Sequence, residues 1–306
     1  MSTTPHAFRG PMPILPTPIT PDGKIDETSL RRLVRYCLAN GAAAIGHFGI
    51  ASEFFKLDDE SRELNARVVI EEVDGRVPVF LGATGASDSL AVKYARQAHA
   101  LGADMLMVAI PYVNVPDTSA MCDYYRRVAD ATPLPIILQD TPTSAPMLTA
   151  EVACRLFDEV PTVQYIKAEG NDFISKTARV MEISGGRMPV IGGYGGKFML
   201  HMLRLGVTSF MTGTEALDLH NTIIQAFLAG DQETAAKLYC ERLLPYFAFY
   251  EMHPEQLLKQ MLHQRGVIDH PNIIPPRASR PMSEIEEREF QWVLKRTGLD
   301  KPPPMF

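Results

Sequence analysis

Eight short apolar stretches recur along the chain: MPILPT (12–17), AAAIGHFG (42–49), VPVFLGAT (77–84), DMLMVAIP (104–111), LPIILQD (134–140), VQYIKAE (163–169), MPVIGG (188–193) and VTSFMTG (207–213). Apolar runs of this length, bounded by turn residues, are the pattern of strands buried on both faces. The segments between them carry helical spacing. TSLRRLVRYCLANG ends on Gly41 as a stop, and SDSLAVKYARQAHALG opens on Ser87 as N-cap and stops at Gly102. Beyond residue 213 the pattern stays helical, over 214–229, 231–250, 254–265 and 282–297, interrupted by HPNIIPPRASRP. Eight strand-then-helix units, roughly 20 to 35 residues each, fit a closed (β/α)8 TIM barrel. A doubly wound sheet would have fewer strands and a glycine-rich phosphate loop after the first. The spacing predicts a barrel over 1–229 and a helical extension over 230–306 packed on it.

Composition narrows the function. With 306 residues, 46% hydrophobic and 22% charged, the chain has ample material for a large core. A net charge of -6 and the lack of any dense Lys/Arg run offer no field for a nucleic acid backbone. No apolar run reaches membrane-spanning length, and MSTTPHAFRGPMP has neither a charged n-region nor an apolar h-region. A cytoplasmic protein with no nucleic-acid or membrane partner is expected. Cys37, Cys122, Cys154 and Cys240 form no C-x-x-C pair, and are expected to be reduced thiols packed in helices.

In such a barrel the reacting groups come from C-terminal strand ends and the loops after them. QYIKAEG places Lys167 near the end of the sixth stretch. A desolvated lysine loses hydration and serves as an amine nucleophile toward carbonyls. The plain alternative is a surface lysine at a strand end. Alternation puts Glu169 on the same side as Lys167, either to move a proton beside the amine or as a simple salt-bridge partner. Gly193 and Tyr194, in GGYGG, could let a ligand approach the backbone and bond a hydroxyl, or could mark only a loop and helix start. His47 could face the pocket or sit as a satisfied core histidine. Thr212 and Thr214 could bind hydroxyls, or Thr214 could cap a helix. No metal-ligand cluster accompanies these residues.

With the opening PTPITPDGKID, the YIK of strand six and the LLKQMLHQRGVI helix in family order, the sequence resembles the dihydrodipicolinate synthase and N-acetylneuraminate lyase superfamily over nearly its whole length. The resemblance implies a barrel with a helical C-terminal region, a homotetramer, and a Schiff base between Lys167 and a 2-oxo acid, with no cofactor beyond that covalent imine. The departures are specific. The superfamily's G-T-T-G-E is here Gly49-Ile50-Ala51-Ser52-Glu53, so both threonines that hold the substrate carboxylate are gone and Ser52 with backbone N–H groups must replace them. Its Y-N-x-P-x-R-T is here Gln139 through Ala145, with the catalytic tyrosine replaced by Gln139 and the arginine by Ser144; the second tyrosine of P-Y-Y-N is Val113. GGYGG lacks the acidic pair of the lyase's G-Y-D-E. SEFFKLDDESR, LQDTPTSA and YIKAE resemble instead the 2-keto-3-deoxy sugar acid dehydratases, in particular L-2-keto-3-deoxyarabonate dehydratase.

The substitutions point the same way. A protonated imine at C2 acidifies the C3 protons, after which C3–C4 cleavage needs a base on the C4 hydroxyl and β-elimination needs a base at C3 and an acid for the leaving hydroxyl. Gln139 can do neither, which leaves Glu169. The expectation is a class I carbon–oxygen lyase, with Lys167 and Glu169 catalytic and Gly49, Ser52, Gln139, Gly193, Tyr194, Thr212 and His47 binding substrate. A pyruvate-dependent aldolase and a non-catalytic 2-oxo acid binding protein are the alternatives.

Overall fold

The computed structural model describes residues 7–111, 116–140, 148–170, 172–277 and 280–304. Strands and helices alternate: β1 Gly10–Pro11, α1 Glu27–Ala39, β2 Ile45–His47, α2 Asp59–Val73, β3 Val79–Gly82, α3 Asp88–Leu101, β4 Met105–Ala109, α4 Thr118–Asp130, β5 Ile136–Gln139, α5 Ala150–Glu159, β6 Val163–Ala168, α6 Phe173–Ser184, β7 Val190–Gly195, α7 Met199–Arg204, β8 Ser209–Thr212 and α8 Leu217–Leu228. Every strand pair is parallel, in the order β1-β8-β7-β6-β5-β4-β3-β2. A bridge between Ile14 and Gly46, with Gly46 N–H donating to the Pro13 carbonyl at 2.9 Å, closes β1 onto β2. The chain is a (β/α)8 TIM barrel followed by further helices.

Strand 1 departs from its expected span. The regular strand is confined to Gly10–Pro11, yet the N–H groups of Met12 and Ile14 still donate to the β8 carbonyls of Phe210 and Thr212 at 2.7 and 3.0 Å, and Leu15 N–H to the Gly46 carbonyl at 2.8 Å; Pro11 and Pro13 have no N–H to give toward β2. The helix ends match the sequence closely: the Ser87 side chain accepts from Leu90 N–H, and Gly102 ends α3 in the left-handed region, φ 94°.

Side chains divide by strand parity. Met12, Ala44, Phe80, Met105, Met107, Ile137, Tyr165, Ile191 and Met211 fill the barrel interior, while the alternate positions, such as Ile45, Leu81, Leu106, Leu138 and Ile166, pack under the helices. Burial on both faces is why the strands read as apolar runs rather than alternating patterns. Cys37, Cys122 and Cys154 are buried on their helices, but Cys240 is exposed, which corrects the expectation that all four pack internally.

The 231–250 helix is three pieces: α9 Gln232–Leu238, a π-helical turn Tyr239–Leu243, and α10 Leu244–Tyr250. Pro245 cannot donate to the carbonyl of Glu241, and the wider turn absorbs that lost bond. Two further helices follow, α11 Pro254–Gln264 and α12 Glu284–Thr297. A buried charge network fastens α11 to the loop after β2. Glu53 pairs with Lys56 at 2.9 Å and Lys259 at 2.5 Å, and accepts from Ile274 N–H at 3.0 Å. Lys56 also bonds Glu255 at 2.6 Å. The motif glutamate that the chain shares with its resemblance is therefore a strut.

Candidate active site

Lys167 is the last but one residue of β6, level with Gln139 of β5 and Ile191 of β7. Two residues above interior Tyr165, it points into the barrel mouth and is 8% exposed. Its Nζ lies 3.1 Å from Glu169 Oε2, so alternation holds for one residue past the strand. Glu169 is 6% exposed, and its second oxygen accepts the Tyr194 N–H at 2.9 Å.

That bond exists because β7 carries an extra residue. Gly192 pairs with Phe210 and Gly195 with Thr212, three residues against two, so β7 bulges over Gly193-Tyr194. Tyr194 takes φ 53°, unusual for a tyrosine, and its N–H turns toward Glu169. Gly193 makes room: a Cβ there would lie 2.1 Å from Glu169 Cγ and 2.7 Å from Oε1. Gly193→Ala is therefore expected to push the carboxylate off the amine and lower turnover at least tenfold, roughly the loss for a misplaced catalytic group, while Lys167 still forms imine with pyruvate. Parallel kinetics and borohydride trapping check it.

Lys167 and Glu169 open onto a cavity of about 250 Å³, lined also by Ile14, Gly49, Ile50, Ala51, Tyr194, Thr212, Gly213 and Glu215, and by Phe247, Tyr250 and Leu258 of α10 and α11. Lys197 and Glu251 line it too, paired with each other at 2.5 Å. Gly49 belongs in this wall because a Cβ there would meet Ile14 Cγ2 at 2.8 Å. The cavity has a roof that no strand pattern could foretell, since Phe247 and Tyr250 arrive from the helices beyond the barrel.

Of the expected residues, Lys167, Glu169, Gly49, Tyr194 and Thr212 meet at the cavity; Ser52, Gln139, Gly193 and His47 are not in its wall. His47 has the parity of Ile45 and faces the helices rather than the pocket. It is fully buried, accepts the Phe48 N–H at 2.7 Å on Nδ1, and is held to a pKa of about 3 by desolvation and then Arg62. It is a core histidine. Ser52 is corrected as well: its hydroxyl donates to the Leu15 carbonyl at 2.5 Å, so it is committed to tying the loop to β1. Gln139 stands beside Lys167 in the ladder with the interior parity of Ile137, but outside the cavity wall. Thr212 Oγ1 is buried with no partner among the described residues. Thr214 does not cap: the residue before α8 is Ala216, and no side chain caps that helix. Val113 and Ser144 lie outside the described residues.

Behind the strand, Asp140 pairs with Lys176 of α6 at 2.6 Å and accepts from Leu148 N–H at 3.1 Å. Burial pushes its carboxyl up to about 6 even so. This pair sits on the helix-facing side and braces the end of β5. Glu215, which sequence reasoning missed, is a buried carboxyl in the cavity wall. Its signal was its place three residues past β8, the kind of position that singled out Glu169.

Comparison with known proteins agrees with this architecture. The model of the dihydrodipicolinate synthetase family matches residues 7–297. The chain is 31% identical over 252 residues to 4-hydroxy-tetrahydrodipicolinate synthase of Pelobacter propionicus, covering 81% of this chain and 85% of that one. It is 29% identical over 291 residues to L-2-keto-3-deoxyarabonate dehydratase of Azospirillum brasilense, covering 93% and 91%. Among solved structures, a prophage protein of the dihydrodipicolinic acid synthase family from E. coli K12, in complex with pyruvate, superposes with a TM-score of 0.88 at 25% identity, over 95% of this chain and 99% of that one. Dihydrodipicolinate synthase of Thermotoga maritima does so with a TM-score of 0.88 at 26% identity, over 96% and 100%. By full-length match, barrel and helical extension alike, the chain belongs to the dihydrodipicolinate synthetase family, a family of lyases.

Proposed function

We propose that this protein is a Schiff-base lyase that dehydrates a 2-keto-3-deoxy sugar acid, of the kind represented by L-2-keto-3-deoxyarabonate. The observation that carries the reading is the Lys167–Glu169 pair, 3.1 Å apart and open to one cavity, with Gln139 where a tyrosine would serve an aldolase. The Lys167 amine, once deprotonated, attacks the C2 carbonyl, and water leaves as the iminium forms. A C3 proton then passes to a base, giving an enamine. Its electron pair moves to C3–C4 as the C4–O bond breaks, and the hydroxyl departs as water with a proton from the acid. Glu169 fits both proton transfers, since the same carboxyl that accepts at C3 can return the proton at C4.

Aldol cleavage needs a base on the C4 hydroxyl instead. Tyr194 and Tyr250 line the cavity, but desolvation raises both phenols, Tyr250 well above its ordinary range, so neither supplies a phenolate at neutral pH. The name of the Azospirillum relative supports the dehydratase reading, and those of the synthase relatives keep the aldolase second. Incubation with a panel of 2-keto-3-deoxy acids separates the readings: substrate should disappear without releasing pyruvate to a lactate dehydrogenase assay. Stoichiometric pyruvate would make it an aldolase; binding without turnover would make it a 2-oxo acid sensor.

A further inference from the structure

The cavity wall holds a buried carboxyl group that the imine chemistry leaves unused. Glu215 is 1% exposed and lines the same wall as Thr212 and Gly213. Its Oε1 accepts the Tyr246 hydroxyl at 3.0 Å. Its Oε2 is buried and has no hydrogen-bond partner among the described residues. The carboxyl lies over bare backbone: a Cβ on Gly213 would stand 2.2 Å from Oε2.

Two other buried carboxylates near the barrel mouth, Asp140 and Glu53, serve structure, and they are tied down. Asp140 has Lys176 and the Leu148 N–H; Glu53 has Lys56, Lys259 and the Ile274 N–H. Among the described residues, no cation pairs with the Glu215 side chain. Arg265 donates to its backbone carbonyl at 2.5 Å, to Asp218 at 3.1 and 2.7 Å, and to the Lys301 carbonyl at 3.1 Å. Lys197, in the same cavity wall, is matched by Glu251. An oxygen left unsatisfied in the interior loses its hydration without return, so a group kept this way in a cavity wall is poised for a ligand.

We propose that Glu215 recognises a hydroxyl on the tail of the 2-oxo acid, remote from the imine carbon, and excludes substrates that carry a second anion there. The proposal rests on the reading that Lys167 holds C2. Glu215 follows β8 while Lys167 ends β6, two strand spacings or about 10 Å apart at the backbone, a separation that a lysine side chain and a five-carbon acid span together. A hydroxyl suits the carboxyl in either state, donating to the ionised oxygen or accepting from the protonated one. Beside the ionised carboxyl, a carboxylate or phosphate would bury a second negative charge with no unpaired cation among the described residues to meet it.

Three five-carbon probes differ only at the tail: 5-hydroxy-2-oxopentanoate, 2-oxopentanoate and 2-oxoglutarate. None carries a C4 hydroxyl, so none can be dehydrated or cleaved, and calorimetric titration reads affinity alone. The wild-type protein should bind the hydroxy acid about tenfold more tightly than 2-oxopentanoate, the worth of one hydrogen bond, and 2-oxoglutarate most weakly. Glu215→Leu should erase the hydroxyl preference while pyruvate affinity stays within about twofold. Glu215→Gln, which keeps shape and hydrogen bonding, should keep the preference and admit 2-oxoglutarate about tenfold better. If Glu215→Leu misfolds, the gain of 2-oxoglutarate binding in Glu215→Gln decides alone. A hydroxyl preference that is absent in the wild type, or that survives Glu215→Leu, overturns the proposal. Borohydride trapping with the same probes keeps the two claims apart. Affinity that depends on Glu215 without an adduct on Lys167 would overturn the imine reading and leave the tail contact standing; adducts with affinity indifferent to Glu215 would do the reverse.

Discussion

Lys167→Arg is expected to fold, to form no borohydride-stable adduct with any 2-oxo acid, and to lose turnover by on the order of 10⁴-fold or more, as removal of a covalent nucleophile does. Arginine is the informative replacement. Lys167 is buried against Glu169 at 3.1 Å, so truncation to alanine would strand a buried carboxylate and confuse lost chemistry with lost stability. A guanidinium keeps the positive charge but does not deprotonate in a protein, so it cannot attack a carbonyl. Steady-state kinetics, trapping and thermal unfolding on one preparation check all three parts. An arginine variant that still turns over would remove Lys167 from the reaction.

Glu169→Gln should separate the steps. Glutamine can still accept the Tyr194 N–H, which holds the carboxylate at 2.9 Å, but it has no titratable proton. Turnover should fall by about 10² or more, the usual contribution of a general acid–base, while single-turnover trapping of pyruvate on Lys167 persists. Dehydration near the wild-type rate would move the proton transfer to another group. Thr212, whose buried hydroxyl lacks a partner among the described residues and lines the cavity, is then the first to test; Ser52, committed to the Leu15 carbonyl, is not.

The barrel was legible because parallel strands buried on both faces leave long apolar runs, and helix signals such as Ser87 and Gly102 punctuate them. The same double burial hides which face a residue takes. Lys167 and Glu169 could be paired by spacing within one strand, but His47 sits in a run with no polar alternation, and only the register of Gly46 against the interior shows that it points outward. Strand 1 begins earlier than its apolar run and keeps its bonds to β8 through Ile14, while Pro11 and Pro13 remove donors that would face β2. Ser52 looked like a replacement for lost threonines; its hydroxyl is instead claimed by a carbonyl 37 residues away in sequence, which no local pattern records. The cavity roof, Phe247 and Tyr250, depends on how α10 folds back after the π-helical turn. The Gly193 bulge was visible only as glycine-rich sequence, with its purpose, room for Glu169, set by a neighbouring strand.

The most direct measurement is mass spectrometry of the wild-type protein quenched with borohydride during turnover of a 2-keto-3-deoxypentonate. The peptide containing Lys167 should carry a five-carbon adduct lighter by one water than that expected of the intact substrate, because elimination occurs while the acid is bound as its imine. A three-carbon adduct of pyruvate on that peptide would mean C3–C4 cleavage, and an unmodified Lys167 during continuing turnover would contradict the Schiff-base account altogether.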